Sequence, residues 1–190
     1  MITSPSIRVL LVPIGSFPLE QAMELARILP ERFPIEMEFH VVIWSLTPPL
    51  EMYDWERGQF RADELAEYLA DSIPLAEPPR LLILGLSDAD AYVDGLNFVF
   101  GIALPRRGVA IVFSRRLYSA SREVYFKRLV KECMHEVGHL LGLPHCGNPR
   151  CVMSFSNSLA DVDFKEDSFC DDCKYKLYSL ARKLNVRYKG

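Results

Sequence analysis

The chain has no apolar run near the roughly 20 residues that a membrane-spanning helix requires. Its first 18 residues lack a basic segment of the kind that opens a secretory leader. Basic residues are not in excess, since 22 Lys and Arg stand against 25 Asp and Glu, a net charge of −3. That balance argues against a nucleic-acid-binding protein. We therefore expect a cytoplasmic protein, monomeric, that binds neither membranes nor nucleic acid.

Cysteine is absent from the first 132 residues, and the whole chain has four histidines. Three of those histidines and two of the five cysteines lie in residues 135–153, which read HEVGHLLGLPHCGNPRCVM. In a reducing compartment we expect such thiols to be metal ligands or buried thiols in preference to disulfides. The run holds more strong ligands than one ion uses, and this raises the question of two metal sites.

Apolar periodicity predicts strands that alternate with helices over the first 120 residues. Strands are predicted at residues 7–14, 35–44, 80–86, 96–104 and 109–113, and helices at 19–29, 61–73, 119–141 and 174–184. The short link between the last two strands suits a hairpin, so one of them should run antiparallel. This order predicts an α/β (α+β) fold with a mixed sheet. We expect an N-terminal subdomain over residues 1–142 and a C-terminal one over 143–190.

His135 and His139 lie four residues apart on the predicted long helix. Four residues advance a helix by about 400°, so both rings can reach one ion from the same face. Glu136 lies about 100° further round, where it reaches a water molecule at the metal and can act as general base. Gly142 is predicted to end the helix in a left-handed turn that brings His145 back as a third ligand. Three histidines leave a tetrahedral zinc ion one open position, which predicts a catalytic site.

The run from His135 to His145 resembles the metzincin zinc-peptidase motif H-E-x-x-H-x-x-G-x-x-H. Metzincins also place a methionine in a tight turn beneath the zinc ion. By that resemblance Met153, eight residues after His145, forms the Met-turn. The resemblance further implies a twisted mixed sheet whose antiparallel edge strand, here residues 96–104, binds an extended peptide by strand addition.

Four of the five cysteines form two close pairs separated by a longer segment. They are Cys146, Cys151, Cys170 and Cys173. Two such pairs are the usual four-thiolate zinc arrangement, which has no open position and so predicts a structural ion. Redox chemistry at Cys170-Asp-Asp-Cys173 is the alternative, although Asp171 and Asp172 should raise the pKa of both thiols. The fifth cysteine, Cys133, is predicted to be a buried core thiol.

The metzincin helix running into C-x4-C-x-M, with a distant C-x-x-C, resembles the archaemetzincins over residues 135–173. That resemblance implies a zinc-dependent peptidase with two Zn²⁺ per chain, one catalytic and one structural, and a small zinc-bound C-terminal subdomain. The expected partner is a peptide or protein substrate. Two alternatives remain open: a zinc-stabilised peptide-binding protein with little or no peptidase activity, and a nucleic-acid-binding zinc module.

Overall fold

The computed structural model describes residues 6–74 and 78–189, and within them eight strands and five α-helices. In chain order these are β1 Ile7–Ile14, α1 Leu19–Arg32, β2 Met37–Val41, β3 Tyr53–Asp54, β4 Gln59–Arg61, α2 Ala62–Ser72, β5 Leu81–Ser87, β6 Ala91–Tyr92, β7 Gly101–Leu104, β8 Val109–Phe113, α3 Arg122–Leu140, α4 Leu159–Phe164 and α5 Asp171–Leu184. Among these residues no helix is both long and apolar enough to cross a membrane.

Five of the strands form one mixed sheet in the order β2-β1-β5-β8-β7. The first four strands are parallel, and β7 runs antiparallel to β8 at the edge of the sheet. The strands β1, β5 and β8 are buried on both faces, which explains their near-continuous apolar sequences. The predicted mixed sheet with an antiparallel edge strand is therefore confirmed.

Helices cover both faces of this sheet and divide the core in two. Side chains from alternate strand positions, such as Val9, Leu84 and Val112, pack with α1, α3 and the C-terminal residues. The other positions, such as Ile83 and Ile111, pack with α2. Since successive strand residues point to opposite faces, each central strand contributes to both halves of the core.

The long helix α3 lies on the first of these faces and ends in the predicted ligand region. Ser121 caps its start, because the Ser121 hydroxyl accepts a hydrogen bond from the Val124 N–H. The middle and C-terminal part, from Leu129 onward, is almost wholly buried. This burial fixes the two histidines that the helix carries.

Several predicted bounds are wrong. Residues 96–100 are a loop, because the edge strand begins at Gly101. Helix α1 continues through Pro30 to Arg32. Helix α5 begins at Asp171, not near 174. The short helix α4 and a second sheet, of order β3-β4-β6, had no periodicity long enough to predict them.

The C-terminal residues share a core with the sheet. Leu143, Val152, Phe169 and Leu177 belong to the same buried cluster as the strand and α3 side chains. Phe169 also packs on Phe33, with ring centroids 5.4 Å apart. The division into subdomains at residue 142 stays a prediction.

Candidate functional site

His135 and His139 lie one turn apart near the end of α3, and their Nε2 atoms are 3.0 Å apart. His135 is buried and His139 is half-buried. His145, which is exposed, comes from the loop that follows the helix. One ring nitrogen from each of the three lies within 4.8 Å of the others. The structure therefore brings together the three histidines that the sequence singled out.

A tight turn at Gly142 returns the chain towards the helix. Gly142 has φ of 86°, the left-handed region in which glycine carries no Cβ penalty. The N–H groups of Gly142 and Leu143 donate to the carbonyl oxygens of His139 and Gly138, respectively, which is the Schellman pattern of helix termination. His145 then follows close behind, so this turn is what places the third imidazole beside the first two.

Hydrogen bonds to main-chain carbonyls fix the orientation of two of the rings. His135 Nδ1 donates to the Val152 carbonyl oxygen at 2.9 Å, and His139 Nδ1 donates to that of Leu143 at 2.7 Å. Because a carbonyl oxygen only accepts, each Nδ1 carries the proton and each Nε2 keeps its lone pair. Such carbonyl partners are typical of metal-binding histidines.

Burial lowers the pKa of all three imidazoles, most strongly that of His135. The Lys165 ammonium adds to the effect at each ring. The neutral imidazole is the form that binds metal ions. Tetrahedral ligands at about 2.1 Å from zinc lie about 3.4 Å from one another, so the 3.0 Å between the two Nε2 atoms fits a shared ion.

Glu136 is buried between α3 and the edge strand, and it lines a cleft that the three histidines also line. Burial raises the pKa of Glu136 well above its usual value, the Glu132 carboxylate adds to this rise, and the Lys165 ammonium opposes it. Burial therefore favours the protonated form of this carboxyl group over the ionised form.

An ion pair lies buried one turn further back on α3. The Lys165 ammonium, just after α4, is 2.8 Å from Glu132 Oε1, and both side chains are almost fully buried. Glu132 also lines the cleft. Removing one partner of such a pair leaves an uncompensated buried charge, which typically costs about 3–5 kcal/mol. The pair therefore fixes a positive and a negative charge beside the histidines.

The cleft has a volume of about 510 Å³ and runs between α3 and β7. One wall is the loop of residues 96–100 together with β7, and the other includes Phe155, whose ring lies 5.1 Å from that of His145. Within the described residues β7 is the last strand of its sheet, so one edge of its backbone has no strand partner. An extended peptide could pair with that edge.

Side chains of the second sheet and of its β3–β4 turn hold the loop wall in place. The main-chain carbonyl of Asn97 accepts hydrogen bonds from Gln59 Nε2 at 3.0 Å and from Arg57 Nη2 at 3.1 Å. The Arg57 guanidinium also lies 4.0 Å from the centre of the Tyr92 ring. These contacts explain why residues 96–100, although apolar, form a rim of the cleft and not part of the strand.

The four predicted cysteine ligands also converge. Cys146 Sγ is 3.6 Å from Cys170 Sγ, and Cys151 Sγ is 3.8 Å from Cys173 Sγ. Thiolates about 2.3 Å from a tetrahedral zinc ion lie about 3.8 Å from one another, so these separations fit a four-thiolate site. Cys133 is not part of the cluster: it is fully buried in the core, and burial raises the pKa of its thiol well above the usual value.

The expected effect of the two aspartates on the C-x-x-C thiols is wrong for Cys170. Burial is the largest influence on Cys170 and raises the pKa of its thiol, but hydrogen bonds from the Cys173 backbone and from neighbouring thiols outweigh it and lower the pKa. The pKa of Cys173 is raised, by burial and by the nearby Cys151. Surrounding sulfur atoms and burial set these values, because Asp171 and Asp172 are exposed at the start of α5.

The histidine and cysteine clusters share main-chain hydrogen bonds. The Val152 carbonyl accepts a hydrogen bond from His135 Nδ1. The Val152 N–H donates to the main-chain carbonyl of Ser168, two residues before Cys170. The Cys146 N–H donates to the Met153 carbonyl at 2.9 Å. The segment 145–153 is therefore bonded to α3 on one side and to the segment before α5 on the other.

Met153, the predicted Met-turn residue, is fully buried against Gly138 of α3. It lies in a turn closed by the Ser154 N–H, which donates to the Cys151 carbonyl at 2.9 Å. A Cβ atom at Gly138 would overlap Met153 Sδ and lie 3.0 Å from its Cε. Gly138, between the two helical histidines, is thus the residue that lets the methionine approach the helix.

Replacing Gly138 by alanine is expected to lower the thermal unfolding midpoint. Alanine favours a helix over glycine by about 1 kcal/mol. Overpacking against Met153 costs about 1–3 kcal/mol and should outweigh that gain. A net loss of about 1 kcal/mol lowers the midpoint by about 2–4 °C in a chain of this size, which calorimetry would detect.

The control for this change is the same substitution in a Met153→Ala background. There the overlapping sulfur is gone, so only the helix-favouring effect of alanine remains and Gly138→Ala should be stabilising. If the change destabilised both backgrounds equally, the contact with Met153 would not be its cause.

Sequence reasoning missed four residues around the site: Gly101, Glu132, Gly138 and Lys165. The two glycines had a usable signal, because a glycine inside a predicted strand or helix often marks a point where another part of the chain approaches the backbone closely. Glu132 had a weaker one, since it lies one turn before Glu136 on the same face. Lys165 had none, because its partner Glu132 is 33 residues away in sequence.

A helix that carries H-E-x-x-H-x-x-G-x-x-H beneath an antiparallel edge strand, with a methionine turn packed on it, defines a metallopeptidase of the metzincin type. The sequence model of Peptidase family M54 matches residues 50–179. Archaemetzincin of Aeropyrum pernix is 45% identical over 172 residues, which are 90% of this chain and 93% of that protein. The chain belongs to Peptidase family M54, the archaemetzincins, and is a zinc metallopeptidase.

Solved structures agree with this assignment. The crystal structure of archaemetzincin from Methanopyrus kandleri matches with a TM-score of 0.78 at 32% identity, covering 95% of this chain and 98% of that one. That from Archaeoglobus fulgidus matches with a TM-score of 0.76 at 36% identity, covering 90% and 99%. The resemblance inferred from residues 135–173 is confirmed, and it extends over most of the chain.

Proposed function

We propose that this metallopeptidase hydrolyses peptide bonds with His135, His139 and His145 as the ligands of a catalytic zinc ion and Glu136 as the general base. The observation that carries the proposal is the convergence of two oriented Nε2 lone pairs and a third imidazole next to a buried glutamate in one cleft. A structural or incidental histidine cluster would not need that glutamate.

The proton is carried by Glu136. A zinc ion held by His135, His139 and His145 would supply Lewis acidity, which lowers the pKa of a water molecule and polarises a carbonyl group. The Glu136 carboxylate takes a proton from the water molecule while the water oxygen adds to the peptide carbonyl carbon. It then returns the proton to the amine as the carbon–nitrogen bond breaks, so the glutamate ends the cycle ionised as it began.

The substrate is a peptide or protein segment bound in extended form along β7. The free edge of that strand offers main-chain donors and acceptors, and the cleft beside it is lined mainly by apolar side chains such as Phe98 and Phe155. The monomeric state, the cytoplasmic location and the absence of nucleic-acid or membrane partners remain predictions of the sequence.

We further propose that Cys146, Cys151, Cys170 and Cys173 hold a second, structural zinc ion. Support comes from the two sulfur–sulfur separations, which fit the edges of a tetrahedral thiolate site. Redox chemistry is the less favoured function of Cys170 and Cys173, because each of them lies against a cysteine of the other pair.

Chelation tests both assignments. The purified protein is expected to contain two zinc ions per chain by mass spectrometry, and a chelator should remove the ion of the open three-histidine site first. Hydrolysis of an internally quenched peptide library should fall by at least about 100-fold once that first ion is removed, since the proposed reaction needs the metal to acidify the attacking water. Added Zn²⁺ should restore it.

Loss of the second ion should instead lower the thermal midpoint, because structural zinc contributes directly to folding. Hydrolysis that resists the chelator after contaminating peptidases are excluded would contradict the catalytic assignment. One zinc ion per chain in the untreated protein would contradict the structural one.

A further inference from the structure

A side chain at position 101, the first residue of β7, would point towards helix α3; the residue there is Gly101. In the antiparallel pair Gly101 lies opposite Val112, and Ile102 lies opposite Ile111. Directly opposed residues of an antiparallel pair point to the same face. Val112 packs in the core that includes α3, whereas Ile111 packs with α2. Gly101 therefore faces the helix that carries His135 and Glu136.

What lies at that position is the Glu136 side chain. A Cβ atom at Gly101 would lie 2.6 Å from both Cγ and Cδ of Glu136, and closer still to Oε1. Carbon atoms in contact are ordinarily about 3.5–4.0 Å apart. The Glu136 side chain thus occupies the space that any other residue at position 101 would need.

The backbone at Gly101 does not itself require glycine. Its φ lies outside the positive range, in contrast to Gly95 and Gly142, whose values are 87° and 86°. It also pairs regularly with Val112 inside a strand. Glycine there is explained by space and not by conformation.

Neighbouring side chains limit the other positions that the Glu136 carboxylate could adopt. Glu132, one turn earlier on the same face of α3, also lines the cleft, and its side chain is held there by the buried ion pair with Lys165. The remaining direction is outward into the cleft, where the substrate has to lie. A side chain at position 101 would therefore move the carboxylate out of its place.

We infer that Gly101 is a positioning residue, whose missing side chain lets the Glu136 carboxylate lie against strand β7 at the inner side of the cleft. The inference rests on the proposed function, in which Glu136 is the general base. It assigns the edge strand a second task, because the strand that would align the substrate also sets the position of the base.

The test is a double-mutant cycle of Gly101→Ala and Glu136→Asp, assayed on a peptide chosen from the library. Gly101→Ala should lower kcat by about 100-fold, the usual effect of displacing a catalytic group by about 1 Å, with KM within about threefold. Glu136→Asp alone should cost about as much. Because aspartate is one methylene shorter and leaves room for a Cβ, adding it to Gly101→Ala should cost less than about tenfold.

Gly147→Ala is the matched control, because a Cβ there meets no atom within 4 Å. Gly147→Ala should keep kcat. Gly101→Ala should keep its zinc content, and its thermal midpoint should fall by no more than the few degrees that overpacking costs. Unaltered kcat in Gly101→Ala, or losses that multiply in the double variant, would overturn the inference.

Two further results separate this inference from the proposal beneath it. Full activity in Glu136→Gln would overturn the general-base assignment, whatever Gly101→Ala does. A crystal structure of Gly101→Ala gives a readout that needs no activity: the Glu136 carboxylate should be displaced into the cleft. Finding it unmoved would overturn the positioning role of Gly101 while leaving the general base in place.

Discussion

Replacement of Glu136 by glutamine is expected to abolish peptide hydrolysis and leave the two proposed zinc ions in place. Glutamine has nearly the same volume but cannot accept a proton, and general acid–base catalysis contributes about 10²- to 10⁴-fold. Stability should not fall, because the change removes a buried carboxyl group whose charged form is disfavoured by burial. Library hydrolysis, zinc content and thermal midpoint are the three measurements.

Glu123→Gln is the matched control, since it makes the same substitution at an exposed site in the first turn of the same helix. It should retain full activity. Preparing all three proteins identically also exposes contaminating peptidases, which would survive in the Glu136→Gln sample. If that variant retained activity above such a background, another group would have to carry the proton.

Replacement of Cys173 by alanine is expected to remove the second zinc ion and, with it, the order of the segment that carries His145 and Met153. Structural zinc contributes about 10–16 kcal/mol of apparent binding free energy in small zinc-dependent folds. Whole domains are stable by only about 5–15 kcal/mol. The variant should lose both ions, fall in activity by at least about 100-fold, and unfold at a much lower temperature.

Cys133→Ala provides a control that loses the same atoms. Cys133 and Cys173 are both buried cysteines on helices and in the same core, but only Cys173 lies in the sulfur cluster. Cys133→Ala should keep two zinc ions and the peptidase activity. Should Cys173→Ala fail to fold, Cys170→His offers a second route. Histidine can replace a thiolate at zinc, so this variant should retain the second zinc ion and part of the activity.

Two zinc ions and near-unchanged stability in Cys173→Ala would show that the cysteine cluster is not a metal site. An activity loss in Cys133→Ala equal to that of Cys173→Ala would assign the effect to core packing. The pair of variants thus separates ligation from burial.

The elements that could be predicted from the sequence are those with a long local signal. Helix α3 has a capping serine, a buried face and a glycine stop, all within residues 121–142. Strand β1 is an apolar run, interrupted only by Arg8, that matches its predicted bounds. The loop at residues 96–100 has an equally apolar sequence, but side chains 38–40 residues away bond its carbonyl groups. No local pattern reveals such a partner.

The candidate ligands were predictable because metal chemistry restricts both residue type and spacing. The three histidines and the four cysteines could be singled out before any geometry was known, and the structure brings each set together. Their supports could not. Lys165 reaches Glu132 from a separate helix end, and Gly101 matters for the space that it leaves empty. Space and long-range charge are properties of the folded chain, which periodicity does not encode.

The main-chain hydrogen bonds around Val152 also have a consequence for the order in which the parts of the site are synthesised. All three histidines are synthesised by residue 145, yet the Val152 peptide that orients His135 is held by Ser168, and the sulfur cluster closes only with Cys173. If both sites bind zinc as proposed, the growing chain contains the complete peptidase motif nearly thirty residues before Cys173, the last ligand of the second site, is added. The hydrolytic centre is thus completed only after all strands of the sheet that supports it have been synthesised.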